Sequence, residues 1–332
     1  MVFQREKYAG FDPARLGKAV KAKLINALVI GGAGYIGAHL VPQLIDAGRR
    51  VTVLGRSATP AYALPAGAVY VSGDFAQSEL ICGLLDIHQE VIHLAYASVP
   101  NTSFENPLAD LLQNLPPTLQ LFSEAADRGV KLIFVSSGGT VYGEAVELPI
   151  KESHQNRPIS PYGVTKLTLE NYAYLYAATH GLKFICVRPA NAYGVGQRPF
   201  VGQGFISTAM ASAMKGAPIK IFGQRGTIRD YLYVSDLASG IVSALERGHL
   251  SETYNLGSGI GLSNMDVIEA CNPLMSEIGC DVQVEILPDR PFDVKINVLD
   301  STKLQQHTGW KVRIELEEGL RQTRNWLRGF RG

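Results

Sequence analysis

A doubly wound α/β fold is predicted by two observations. Short apolar runs of the buried parallel-strand type alternate with helix-length stretches from Ala27 to Val187, and that alternation builds a parallel sheet covered by helices on both faces. The first run, Ala27-Leu-Val-Ile30, also passes straight into Gly31-Gly-Ala-Gly-Tyr-Ile-Gly37. Glycines at a strand-to-helix turn let the backbone approach a pyrophosphate at the helix N-terminus, so the sheet is expected to be Rossmann-like. Gly32, Gly34 and Gly37 satisfy GxGxxG, and Gly31, Gly34 and Gly37 the GxxGxxG variant.

The elements follow in order. His39 to Ala47 reads as a helix ended by Gly48. Strand two spans Arg50 to Leu54, and in an NAD-binding site it would end on an acid for the ribose hydroxyls. Gly55-Arg56-Ser57 stands there instead. Room beside a glycine, with donors from Arg56, suits a 2′-phosphate and favours NADP; Arg56 stacked on adenine would leave NAD open. Ala68 to Val71 is a third strand, followed by Asp74 and Phe75 as adenine contacts. Glu90 to Ala95 is a fourth, bringing Leu94 and Ala95 to the cofactor. Leu108 to Arg128 is helical, with Pro116-Pro117 expected to kink or restart it. A fifth strand, Lys131 to Ser136, runs into Ser137-Gly-Gly-Thr-Val-Tyr-Gly143, and a sixth, Lys183 to Val187, into Arg188-Pro-Ala-Asn-Ala-Tyr-Gly194.

Beyond Gly194, glycine- and proline-rich loops separate helices at Phe205 to Lys215 and Val234 to Arg247 from short strands at 220–222, 253–256 and 282–287. This predicts an N-terminal extension (1–23), a dinucleotide-binding domain (24–187, with 230–252 packing back onto it) and a smaller C-terminal α/β lobe (188–229 and 253–332) for substrate.

The chemical signal is Tyr162-Gly-Val-Thr-Lys166 at the start of a helix running to Thr179. Four residues is just over one turn, so the phenol and the ammonium share a face. Ionising a tyrosine near neutrality means lowering a pKa of about 10 by roughly three units. A neighbouring ammonium together with a cationic nicotinamide ring is a field of that kind. Alone, the pair also fits a half-buried aromatic and a solvated lysine.

Composition narrows the class. The residues are 46% apolar and 18% charged with net charge +1, which gives no basic excess for nucleic acid. Cys82, Cys186, Cys271 and Cys280 have no paired spacing and point to a reducing cytoplasm. The seven histidines lack metal-ligand spacing, so no metal is expected. No apolar run reaches membrane-spanning length, and the first 23 residues are basic without the apolar core of a signal peptide.

With these residues in view, the chain resembles the extended short-chain dehydrogenase/reductases, and within them the nucleotide-sugar epimerases of the UDP-glucose 4-epimerase type. The resemblance runs from Leu24 to the C-terminus. It is carried by the glycine turn, His93-Leu-Ala95, Ser136 to Gly143, Tyr162 to Lys166, Arg188-Pro-Ala-Asn191, Arg229-Asp-Tyr-Leu-Tyr-Val-Ser-Asp236 and Tyr254-Asn-Leu-Gly257. It implies an acid/base role for Tyr162 at a sugar hydroxyl. Lys166 would bind the nicotinamide ribose. Gly31, Gly34, Tyr35, Ile36, Gly37, Asn114 and Pro189 would join the cofactor site, with Asn114 supporting the active-site helix. Asn191, Arg229 and Arg290 would bind the diphosphate of a nucleoside-diphosphate sugar. The family's dimer would pair the helix after Asn106 with the helix carrying Tyr162, through positions such as Leu111, Leu115, Leu119, Leu169, Tyr172 and Tyr176.

Two departures qualify this. Gly138 stands where the family carries a serine or threonine, so Thr140 or Ser137 is expected to supply the hydroxyl that orients proton transfer and contacts substrate. Gly55-Arg56 replaces the usual acid. The positions of the Asp-Glu pair of 4,6-dehydratases hold Gly139 and Thr140, which ranks dehydration low. Asn297 falls where some epimerases carry a bulky tyrosine, implying room for an N-acetylhexosamine. The expectation is a 4-epimerase, with an NADPH-dependent 4-keto sugar nucleotide reductase next, then a dehydratase or a non-catalytic dinucleotide-binding protein.

Overall fold

The computed structural model describes residues 24–289 and 294–330. The expectations for residues 1–23 and for Arg290 lie outside the described residues. The first part of the chain runs β1 (Ile25–Ile30), α1 (Tyr35–Asp46), β2 (Arg49–Gly55), β3 (Ala68–Ser72), α2 (Ser78–Leu85), β4 (Glu90–His93), α3 (Pro100–Glu105), α4 (Pro107–Asp127), β5 (Lys131–Val135), α5 (Pro161–His180) and β6 (Lys183–Pro189). The rest runs β7 (Asn191–Tyr193), α6 (Phe205–Met214), β8 (Ile219–Phe222), β9 (Ile228–Tyr233), α7 (Val234–Arg247), β10 (Thr253–Leu256), β11 (Gly261–Ser263), α8 (Asn264–Ser276), β12 (Val284–Leu287), β13 (Ile296–Asn297), α9 (Thr302–Thr308) and α10 (Leu316–Gly329).

Seven parallel strands form the main sheet in the order β10-β6-β5-β4-β1-β2-β3. Successive side chains of a strand face opposite ways, and each face of this sheet is covered. Ala27, Val29, Val51 and Val53 pack with Leu40, Leu44 and Leu237 on the α1–α7 face. Leu28, Ile30, Leu132 and Phe134 pack with Leu121, Phe122 and Leu169 on the α4–α5 face. Strand order reverses at β1, between β2 and β4. A crevice opens beyond the strand ends at such a reversal, and ligands bind there.

Two expectations need correction. Helix α4 is continuous through Pro116 and Pro117. Prolines there withhold bonds from the carbonyls of Leu112 and Gln113, four residues back, and both residues are exposed, so water can serve those carbonyls. Residues 253–256, assigned above to the smaller lobe, form the edge strand of the main sheet beside β6. Helix α7 packs on α1, and α9 packs on α7 and β10. The smaller lobe is built from β9 with β7, β11 and β13, the β8–β12 pair, and helices α6, α8 and α10 around a separate core including Ile206, Met210, Val267 and Leu320. The lobes are tied by His39 Nε2 with the Val195 carbonyl at 2.8 Å and by Tyr62 donating to Gly196 O at 2.6 Å.

Candidate active site

The glycine turn is a packing solution. Gly31 has φ +81°, and a Cβ there would lie 2.7 Å from Ala95 N; at Gly37 a Cβ would lie 2.1 Å from Gly32 O. Any side chain at either position would push the turn off the end of β4 or the first turn of α1. Beyond the turn lies a cavity of about 620 Å³ whose wall includes Gly31, Gly34, Arg56, Asp74, Phe75 and Ala95. Leu94 lines it too. This open cradle, with the N-terminus of α1 at its base, fits the pyrophosphate and adenosine of a dinucleotide. Tyr35 turns its ring to His39. Its buried hydroxyl, pushed up by burial and then by Tyr233, Tyr62 and Tyr193, faces the inter-lobe contact. Ile36 packs towards the α1–α7 core. Arg56 is exposed on the cavity wall. The room beside Gly55 belongs to Tyr70, whose hydroxyl would be 2.7 Å from a Cβ and donates to Ser57 O at 2.7 Å. The space attributed above to a ligand phosphate is therefore filled by protein at that point.

Helix α5 is started by Ser160, whose hydroxyl accepts from Gly163 N at 3.1 Å, and by Pro161 in its first turn. Gly163 presses on the 137–143 turn, since a Cβ there would lie 2.7 Å from Thr140 O. The partly buried Tyr162 and the buried Lys166 are carried on this helix. The Lys166 ammonium donates to Val135 O at 2.8 Å and lies 5.7 Å from the centre of the Tyr162 ring. Burial pushes Lys166 down to about 7, against the opposing pull of the Glu170 and Asp110 carboxylates. Burial, then the charge of Asp110, pushes Tyr162 up. The protein's own groups thus hold the phenol protonated.

Of the groups around this pair, sequence reasoning named Asn114 and missed Tyr96, Asp110 and Glu170. Tyr96, at the end of the β4 loop, sits edge-on to Tyr162 with ring centres 4.7 Å apart. Asp110 of α4 is buried and accepts from Thr165 Oγ1 at 2.7 Å, with Ser98 Oγ also bonded to it at close range. Asn114 accepts from Ala97 N at 2.9 Å and donates to Asp110 O at 2.6 Å, fixing the loop after β4. Arg188 forks onto Glu170 at 2.5–3.1 Å and stacks over Tyr142, pinning α5 to β6. Pairing Tyr96 and Asp110 with α5, and Glu170 with Arg188 of β6, needed the fold, because they come from different segments of the chain.

The 136–140 turn lies against the start of α5, where Thr140 O meets Gly163. At Gly138 a Cβ would meet Leu299 Cδ1 at 2.4 Å and Arg188 O at 2.9 Å, so Leu299 fills the place where a family member carries a hydroxyl side chain. Ser136 Oγ, Thr140 Oγ1 and Asn297 Oδ1 are buried without hydrogen-bond partners among the described residues. Ser137 is partly buried beside them. Asn297 is itself 1% exposed and donates to Gly138 O at 2.9 Å. Its side chain holds this turn, so its small size does not by itself open room for an N-acetyl group. Asn191, on β7, faces Gly139, with Oδ1 3.4 Å from where a Cβ would stand. Pro189 ends β6 and accepts from Gly138 N at 2.9 Å. Arg229, on β9, donates to Ile228 O at 2.9 Å. Its neighbour Asp230 is buried and bonded to Ser258, Gly259 N and Leu299 N. Asp230 thus holds the loop that brings Leu299 to the site.

The comparisons agree with this geometry. A family model described as the NAD dependent epimerase/dehydratase family matches residues 27–257. The chain is 32% identical over 320 residues, 90% of its length and 94% of the relative's, to UDP-glucose 4-epimerase of Halalkalibacterium halodurans. Among solved structures it is similar to the UDP-glucose 4-epimerase of Thermotoga maritima with UDP-glucose, at 33% identity and TM-score 0.85 over 92% of this chain and 99% of that one. It is also similar to the Thermus thermophilus UDP-glucose 4-epimerase complex with NAD, at 33% identity and TM-score 0.83 over the same shares.

Proposed function

The chain belongs to the NAD dependent epimerase/dehydratase family, and we propose from that premise and its site that it is a nucleotide-sugar 4-epimerase acting on a UDP-hexose. The observation that carries the reading is the buried Lys166 held to Val135 O beside Tyr162 on α5, together with a buried Thr140 hydroxyl that has no partner among the described residues. A buried hydroxyl without a partner is costly unless something else supplies one.

The glycine turn, Asp74, Phe75, Leu94 and Ala95 would hold the dinucleotide, with Lys166 at its nicotinamide ribose. When bound there, the dinucleotide would supply the acceptor, and then the donor, of a hydride at sugar C4. Tyr162 accepts the 4-hydroxyl proton as the carbon is oxidised and returns it on reduction. Because burial and Asp110 push its phenol up, Tyr162 needs the positive field of Lys166 and of the oxidised ring to act as a base. Thr140, with Ser137, donates to or accepts from the sugar oxygen and fixes its distance from the phenol. Asn191 and Arg229 hold the diphosphate, the arginine by its planar fork, while the 4-keto sugar turns to offer its other face. Gly139 and Thr140 provide no acid for loss of water, so the cycle ends at C4.

The cofactor in this reading is NAD. One observation supports NADP as a second reading, namely the exposed guanidinium of Arg56 on the cavity wall. A second copy of the chain is the proposed partner. Of the positions read for that contact, Leu169 is buried, and Leu115, Leu119, Tyr172 and Tyr176 pack towards the sheet. The exposed apolar face is Leu108, Leu111 and Leu112 of α4 with Val164 and Leu175 of α5, and sedimentation tests whether it pairs. No described helix is long and apolar enough to cross a membrane. The four cysteines are unpaired, which suits the reducing cytoplasm.

The test is to identify the cofactor released by acid from the purified protein and to incubate the protein with UDP-glucose and no added nucleotide. Bound NAD and equilibration of the two 4-epimers are expected. A protein that stays inert until NADPH is added, and then consumes it on a 4-keto sugar nucleotide, would transfer the function to a reductase.

A further inference from the structure

We propose that Tyr96 is a positioning residue, whose ring holds the Lys166 ammonium in place beside Tyr162 and keeps it charged. The proposal rests on the epimerase reading only for what that charge then does.

An ammonium carries three N–H donors, and Lys166 is 3% exposed. Its recorded hydrogen bond goes to Val135 O at 2.8 Å. What surrounds the remaining charge is aromatic. The Tyr96 ring centre is 4.1 Å from Nζ, that of Phe134 5.1 Å and that of Tyr162 5.7 Å. A ring face is the negative end of its quadrupole and attracts a cation within about 6 Å. Of the three, Tyr96 is the nearest, and it is also the one in edge contact with Tyr162. It therefore links the two groups that the reaction needs together.

The carboxylates nearby share in keeping the charge, since Glu170 and Asp110 pull Lys166 up, but their hydrogen bonds go to other groups. Asp110, on α4, accepts the hydroxyls of Thr165 and Ser98. Glu170, on α5, is forked by Arg188. On β6, burial pushes the Cys186 thiol up, and on β4 burial pushes His93 down to about 3, so both face Lys166 neutral at pH 7. Tyr162 is held protonated. With Lys166 already pushed down to about 7, a modest loss of attraction changes its charge at working pH. The Tyr96 hydroxyl is buried near Thr165 and Asp110 without a hydrogen bond of good geometry. The ring is thus the part of Tyr96 that acts.

The experiment labels lysine at Cε with carbon-13 and follows the Lys166 resonance, assigned by its loss in Lys166→Met, through a pH titration without substrate. Tyr96→Leu is expected to lower the Lys166 midpoint by about one pH unit, while Tyr96→Phe keeps it within a few tenths. The alkaline limb of turnover should move with it in Tyr96→Leu and stay in Tyr96→Phe. Tyr96→Met replaces Tyr96→Leu if the latter does not fold. Equal midpoints in the wild type and the aliphatic variant, or equal shifts in the Phe and aliphatic variants, would overturn the proposal. A wild-type protein that turns over no sugar nucleotide would remove the epimerase reading and leave these midpoints to decide the role of Tyr96.

Discussion

The glycine turn and the 136–140 turn, two parts of the candidate site, are finished to different degrees. Around Gly31 and Gly37 the backbone is in tight contact with itself, with room for hydrogen and nothing more. On that turn and beside it, Ser136, Thr140 and Asn297 each bury a polar atom without a partner among the described residues. The first region prepares a shape and the second leaves hydrogen bonds to be completed. A ligand gripped throughout the cycle needs the former. A sugar that must present both faces to one phenol needs the latter, because polar contacts can be exchanged as it turns.

Substitutions can break this contrast. The largest effect is expected at Tyr162→Phe, which removes the proton acceptor and leaves the glycine turn untouched. Turnover of UDP-glucose should fall roughly 10³-fold, while the cofactor absorbance carried through gel filtration is unchanged. Thr140→Val comes next. If its hydroxyl waits for substrate, kcat/KM drops about 10- to 100-fold with Tm unchanged or slightly raised, since the variant removes a buried group that lacks a partner. A fall in Tm with kcat/KM unchanged would make Thr140 structural.

Gly138→Ser asks whether the family's hydroxyl can be put back. A Cβ 2.4 Å from Leu299 Cδ1 is overpacking, expected to cost about 1–3 kcal/mol and a few degrees of Tm. Adding Leu299→Ala should recover part of that loss, and a double variant no more stable than the single one would refute the packing account. A further effect, read as a dependence on pH, lies at His93 at the end of β4. Burial, then the Lys166 charge, pushes His93 down to about 3, against about 6.5 in an unfolded chain. Between those values the unfolded chain binds the extra proton, so stability rises with pH and is lost as pH falls from about 6.5 towards 3. The slope approaches about 1.4 kcal/mol per pH unit. His93→Gln should flatten this dependence in urea unfolding between pH 6 and 4.5.

The prepared shape was the more legible of the two in the sequence. Its requirements are local: a strand, a turn that tolerates no Cβ, and a helix all lie within Ala27 to Asp46. Tyr162 and Lys166 were legible for the same reason, one helical turn apart. The surroundings of that pair were not. Tyr96, Asp110 and Val135 come from β4, α4 and β5, and only the sheet order brings them beside α5. Gly138 was visible as a departure, but its cause, Leu299, enters from the loop held by Asp230. Gly55 was misread because its neighbour Tyr70 belongs to the next strand. The proline pair in α4 was over-read, since a local rule ignores which carbonyls water can reach.

The account turns on one carbon being oxidised and reduced in place with Tyr162 as its acid and base. Incubating the protein with UDP-glucose deuterated at C4 tests this directly. The account predicts that both 4-epimers form without added nucleotide and keep deuterium at C4 through repeated turnover. Exchange of that deuterium for solvent hydrogen, or interconversion that persists at full rate in Tyr162→Phe, would contradict it.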